Sequence, residues 1–98
     1  MANSAYKYSL SSTTKFRRGL KRAGKQGKNI SELEAVIDML RRGKKLPPKY
    51  RDHKLRGNRK DYRECHIQPD WLLVYRIQDD KLILTLTEIG SHAELFDM

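Results

Sequence analysis

Between Tyr62 and Ile89, three strand-length runs (residues 62–67, 71–77 and 81–89) are separated only by the turn tripeptides Gln68-Pro69-Asp70 and Gln78-Asp79-Asp80. Connections this short cannot hold a crossover, so the runs form an antiparallel meander, and the apolar face of such a sheet has to be covered. The cover lies upstream. Ser11, Ser12, Thr13 and Thr14 supply capping hydroxyls, and Phe16, Leu20 and Ala23 then recur at helical spacing up to Gly24 and Gly27. A second helix starts near Asn29 or Ser31, since Ser31-Glu32-Leu33-Glu34 has the reciprocal capping form. Its stripe is Ile30, Leu33, Val36, Ile37 and Leu40, and it ends at Arg41, Arg42 and Gly43. Residues 6–10 alternate as a short half-buried strand does. The expected fold is α+β in the order β-α-α-β-β-β: a twisted antiparallel sheet on an N-terminal two-helix hairpin, as one domain over residues 1–98.

With 98 residues, 38% hydrophobic and 34% charged, the chain has material for one core and no second. Its formal charge is +9, and the charge is uneven: residues 1–60 carry 18 Lys/Arg against 4 Asp/Glu, residues 61–98 only 3 against 8. A basic protein of this kind attracts polyanions, nucleic acid first among them, and the helical spacing argues for folded basic helices over a disordered arm. The densest basic stretch is the loop of residues 44–60, with Pro47-Pro48, Gly57 and the cations Lys44, Lys45, Lys49, Arg51, Lys54, Arg56, Arg59 and Lys60. It reads as an extended surface segment suited to phosphate contact, although a solvated charged loop has the same composition. A single cysteine, Cys65, implies no oxidising compartment. No run approaches the ~20 apolar residues of a membrane span, and residues 1–10 lack the apolar core of a secretory signal, so a cytoplasmic location is expected.

All three histidines stand outside the apolar stripes: His53 in the basic loop, His66 at the end of a strand and His92 after Gly90. Strand parity puts Arg63, Cys65 and Ile67 on one face and Tyr62, Glu64 and His66 on the other, which makes Cys65 a core filler. A lone surface histidine is usually inert, but three at element edges can assemble a site that both accepts and donates protons near neutral pH. RNA cleavage needs both acts. A zinc site competes with this reading, yet no two histidines have the three-to-five-residue spacing of compact zinc motifs, and neither a phosphate-binding glycine loop nor G-x-S-x-G is present. Asp70 is compatible with plain turn chemistry, and Trp71 and Phe96 with either core packing or base stacking.

Residues 50–96 resemble the YafQ-type toxins of the RelE/ParE superfamily in three blocks. These are Tyr50-Arg51-Asp52-His53-Lys54-Leu55-Arg56-Gly57, then Tyr62-Arg63-Glu64-Cys65-His66-Ile67-Gln68-Pro69-Asp70-Trp71, then Gly90-Ser91-His92-Ala93-Glu94-Leu95-Phe96. The first half of the chain matches in pattern only. The resemblance implies ribosome-dependent cleavage of messenger RNA without a metal or other cofactor. It makes His53, His66, Asp70 and His92 the acid–base set, with His92 the general acid, His66 or Asp70 the base, and His53 orienting phosphate or sharing proton transfer. Trp71 and Phe96 become site-shaping aromatics, and Lys54, Arg56, Arg59, Lys60, Arg63 and Arg76 the cations toward RNA. It also implies an antitoxin with an acidic binding segment, through which the complex is expected to reach operator DNA, the toxin having no DNA-reading motif of its own.

One position departs from the family pattern. YafQ-type enzymes typically place an arginine four residues before the last histidine, where this chain has Glu88. A carboxylate cannot stabilise charge developing at phosphorus, and losing such a contact costs roughly 10²–10³ in rate, so Arg56, Arg63 or Arg76 substitutes or the activity is weak. Two other functions suit the fold: a non-catalytic gyrase inhibitor like the ParE-type relatives, and a plain RNA-binding module. Neither needs the histidine set.

Overall fold

A computed structural model describes residues 6–96; residues 1–5, half of the stretch read for a secretory signal, and 97–98 lie outside the described residues. In chain order the elements are β1 (Ser9–Ser12), α1 (Thr14–Lys25), α2 (Ile30–Arg41), a 3-10 turn (Pro48–Tyr50), β2 (His53–Lys54), a second 3-10 turn (Gly57–Arg59), β3 (Arg63–Gln68), β4 (Trp71–Gln78), β5 (Ile83–Gly90) and α3 (His92–Phe96). They make a five-stranded open sheet in the order β1-β5-β4-β3-β2. The expected α+β architecture and the meander β3-β4-β5 are present, and β2 extends the antiparallel part. At the other edge the sheet is mixed, because β1 runs parallel to β5. No hairpin turn joins these two strands, so nothing local dictates their relative direction.

Both helices begin where hydroxyl or amide side chains satisfy free amides. Thr13 Oγ1 accepts from Phe16 N at 3.0 Å and donates to the Thr87 carbonyl at 2.6 Å, tying the start of α1 to β5. The cap of α2 is Asn29, whose Oδ1 accepts from Glu32 N at 3.1 Å; the Ser31–Glu34 pairing is not used. The first strand also lies later than its alternation suggested. Lys7 N and Tyr8 N donate to the Arg41 carbonyl at the end of α2, so pairing with β5 begins only at Ser9 and Leu10 is left exposed.

One core joins Phe16, Ala23, Leu33, Val36 and Leu40 of the helices to Cys65, Ile67, Trp71, Leu73, Tyr75, Leu84, Leu86 and Ile89 of the sheet. Alternation sends Glu64, His66, Leu72 and Val74 to the opposite face. On β5 the alternation is interrupted: Tyr75 pairs with Leu86 and Val74 with Glu88, leaving Thr87 as an extra, bulged residue. Without that bulge Glu88 would follow Leu84 and Leu86 into the core. With it, Ile89 packs under α1 and Glu88 joins the face that bears the histidines. Gly19 permits this packing, since a Cβ there would lie 2.4 Å from the Ile89 carbonyl oxygen. No helix among the described residues is long and apolar enough to cross a membrane.

Candidate active site

Strand register assembles the site on the face away from the helices. One row crosses four strands, since His53 pairs with Glu64, Glu64 with Val74, and Val74 with Glu88. The next row is His66, Leu72 and Gly90, and His92 opens α3 two residues beyond Gly90. The three imidazoles, 13 and 26 residues apart in sequence, therefore stand side by side: ring centroids are 6.4 Å apart for His53 and His66 and 5.8 Å for His66 and His92. Phe96 continues the line, 6.3 Å from His92. Such spacing lets one oxygen sit within a hydrogen bond of ~3 Å from each of two neighbouring rings.

Each histidine is oriented differently. His92 N and Nδ1 both donate to Asp70 Oδ1, at 3.0 and 2.7 Å, which fixes the ring and leaves Nε2 open. The backbone N–H of His92, and then its ring, hold the Asp70 carboxyl below its ordinary range. Asp70 is thus a fixed anion in the β3–β4 turn, and α3 is fixed in turn by Glu94, which accepts from Ser91 N at 2.8 Å and pairs with Arg22 of α1 at 2.9 Å. Gly90 allows the fold-back, because a Cβ there would meet Glu94 and Leu95 atoms at 2.9 to 3.2 Å.

His53 Nδ1 donates to the Arg51 carbonyl at 2.8 Å. Arg51 adopts φ 51°, a left-handed conformation that costs a non-glycine residue roughly 1–2 kcal/mol, and this turn aims the His53 ring back over the sheet. His66 is held most loosely, its Nδ1 lying 3.4 Å from the Pro69 carbonyl. Between these two rings stands Glu64, with Oε1 at 3.3 Å from His53 Nε2 and 3.9 Å from His66 Nε2. Glu64 is only 5% exposed, and its Oε2 is buried without a hydrogen-bond partner. A buried anionic oxygen left unpaired is costly, and such exceptions concentrate where chemistry is done. Sequence reasoning put Glu64 on the correct face but did not single it out; its relation to His53 depends on a two-residue strand with no periodicity of its own.

The expected RNA-facing residues divide. Arg59 reaches the site: its Nη2 donates to Glu88 Oε1 at 3.0 Å and its guanidinium lies 5.7 Å over the Phe96 ring. Arg56 is exposed at the start of the same turn. Lys54 and Lys60 instead line a cavity with Tyr8, Arg63 and Asp79, since Lys54 has the opposite parity from His53. Arg63 is on that opposite face too, its Nε and Nη2 committed to Asp52 Oδ2 at 3.1 and 2.7 Å, and so is not available to a phosphate among the histidines. Arg76 shares the site face but sits at its far end over Tyr62. Trp71 is 1% exposed within the core, so it offers no stacking surface and shapes the site only by packing beneath the β3–β4 corner. Cys65 is fully buried, and burial pushes its thiol well above the ordinary range, which suits a core filler. No group of three or more His, Cys, Asp or Glu side chains among the described residues is arranged to hold a metal ion.

Residues 8–97 match the family model described as the bacterial toxin of type II toxin–antitoxin systems, YafQ. The chain is 35% identical over 82 residues to the mRNA interferase toxin YafQ of Escherichia coli, covering 83% of this chain and 87% of that protein. Among solved structures, the Escherichia coli DinJ–YafQ toxin–antitoxin complex contains a chain that superposes with a TM-score of 0.85 at 32% identity, covering 92% of this chain and 98% of that one. A metal-bound toxin from Helicobacter pylori superposes with a TM-score of 0.86 at 43% identity, covering 91% and 99%.

Proposed function

The chain belongs to the YafQ family of bacterial type II toxins, and on that premise we propose that it is an mRNA interferase: a ribosome-dependent endoribonuclease that cuts messenger RNA in the decoding site by acid–base catalysis. The observation that carries this reading is the line of three imidazoles with two carboxylates against it, Glu64 between His53 and His66 and Asp70 beside His92. An RNA-binding module has no use for proton-transfer groups so arranged.

In this mechanism the 2′-oxygen of the ribose attacks phosphorus and the bond from phosphorus to the 5′-oxygen breaks. His66 takes the 2′-hydroxyl proton. With the proton on Nδ1, 3.4 Å from the Pro69 carbonyl, its Nε2 carries the lone pair and lies beyond hydrogen-bond distance of Glu64, at 3.9 Å. Of the two bases considered, Asp70 is the weaker, because its Oδ1 already receives two hydrogen bonds from His92. His92 gives a proton from Nε2 to the leaving 5′-oxygen, and Asp70 stabilises the imidazolium that does so. His53 is fixed through Nδ1 on the Arg51 carbonyl, and its Nε2, 3.3 Å from Glu64, is the edge that would turn to a phosphate oxygen in place of that contact. Glu64 supports both rings. Proton transfer by these groups requires no metal.

In the cytoplasm the basic surface engages ribosomal RNA, and a cognate antitoxin with an acidic segment covers it, as charge complementarity favours. The solved DinJ–YafQ complex supports such a partner, and operator DNA would be reached through it. Cleavage of mRNA on programmed ribosomes tests the proposal. Wild type cuts, and His92→Ala cuts ~10²–10⁴-fold more slowly while still binding ribosomes. Equal cutting by both, or gyrase inhibition without cutting, overturns it. Because the Helicobacter pylori relative was solved metal-bound, the assay is repeated in excess chelator, with an unchanged rate expected.

A further inference from the structure

Glu88 puts a carboxylate on the site face of the sheet, where a phosphate would be repelled, and it is only 6% exposed. The bulge at Thr87 turns it there. Both of its oxygens are occupied by cations: Oε1 accepts from Arg59 at 3.0 Å and Oε2 pairs with Lys15 Nζ at 2.8 Å. Burial works against its charge, but the hydrogen bonds from Lys15 and Arg59 outweigh that effect and hold its carboxyl below the ordinary range. One carboxylate between two cations leaves the cluster net positive.

Arg59 comes from the 3-10 turn Gly57–Arg59, which pairs with no strand. Its named side-chain partners are Glu88 and the ring of Phe96, and Phe96 in turn adjoins His92. Only part of a five-donor guanidinium is used by that arrangement, so its remaining N–H groups are open to an anion. Of the arginines expected to serve the site, Arg63 is bound to Asp52 on the opposite face, Arg76 lies over Tyr62, and Arg56 is exposed at the start of the turn that ends in Arg59.

We infer that Glu88 is a positioning residue that anchors Arg59 against Phe96, making Arg59 the arginine that binds the reacting phosphate beside His92. The carboxylate at residue 88 then does not weaken the site; it imports a guanidinium from the basic loop. This rests on the nuclease reading above, and its test separates the two.

Single-turnover cleavage on programmed ribosomes is measured for wild type, Arg59→Ala, Arg59→Lys, Glu88→Gln and His92→Ala, with Lys81→Ala as a variant that loses one positive charge at the far β4–β5 turn. Arg59→Ala is expected to lower kcat by roughly 10²–10³ with little change in KM, and added guanidinium ion restores part of the loss. Arg59→Lys retains part of the rate. Glu88→Gln lowers kcat about tenfold through a looser Arg59, and Lys81→Ala is unchanged. A His92→Ala variant that is inactive beside fully active Arg59→Ala and Glu88→Gln overturns this inference and leaves the nuclease reading standing. So does a rise in KM alone for Arg59→Ala with no rescue by guanidinium. No cleavage by wild type overturns both. Arg59 is one of the two cations on the buried Glu88, so its substitution is expected to lower Tm modestly, and the kinetics are measured well below the Tm of every variant.

Discussion

At the residue scale the site consists of proton carriers and the groups that aim them. Asp70 serves His92 twice, through the backbone N–H and through Nδ1, so its charge and its geometry are separable. Asp70→Asn keeps an acceptor in place but removes the charge that stabilises the imidazolium; kcat for mRNA cleavage is expected to fall ~10²-fold with KM nearly unchanged. A rise in KM with kcat intact would show that Asp70 binds RNA and does not assist His92. The histidines were legible because imidazole titrates near neutrality and all three stood outside the apolar stripes. Glu64 was not, because it acquires meaning only through its neighbour across the sheet. Strand parity had already put Arg63 on the face away from His66, and Trp71 was left open between core and base stacking; assigning them toward RNA followed residue type, whereas Asp52 engages Arg63 and the core takes up Trp71.

At the element scale two short irregularities set the site. The two-residue strand β2 brings His53 into register with Glu64, and the bulge at Thr87 changes the face of Glu88. Neither has a periodic signature, since two residues cannot show a repeat and a bulge is defined by the partner strand. The long helices and the meander do repeat, and they were read correctly; of the two starts offered for α2, Asn29 is the cap, and β1 begins later than its alternation suggested. Packing of α1 against the end of β5 maintains the bulge, and Gly19 is the contact that allows it. Gly19→Ala puts a methyl group into the Ile89 backbone, which must move. The expected loss is ~1–3 kcal/mol in urea-induced unfolding, against the gain a helix interior usually takes from this substitution. Unchanged or increased stability would mean that α1 does not approach β5 as described.

At the scale of the whole molecule, a net charge of +9 is balanced locally by a few well-placed carboxylates. Asp38 is held low by Arg42, Asp70 by His92, Glu88 by Lys15 and Arg59 against the effect of burial, and Glu94 by the Ser91 amide. All four have folded-state values below their ordinary 3.8 or 4.5, so the stability they contribute is complete above those ordinary values. It is lost as pH falls through the depressed ones, when the folded state must take up protons. Tm should therefore be nearly level from pH 7 to about 5 and fall steeply below about 4, with a shallower fall for Glu88→Gln. A Tm that holds level to pH 3 would contradict this balance. The central claim is that histidines gathered from the basic loop, a strand end and the last helix act on one phosphodiester through its own 2′-hydroxyl. The ends of the cut messenger test this most directly. A 2′,3′-cyclic phosphate facing a 5′-hydroxyl, with cutting abolished by a single 2′-deoxynucleotide at the scissile position, is the predicted result. A 3′-hydroxyl and a 5′-phosphate, or undiminished cutting of the deoxy-substituted message, would contradict it.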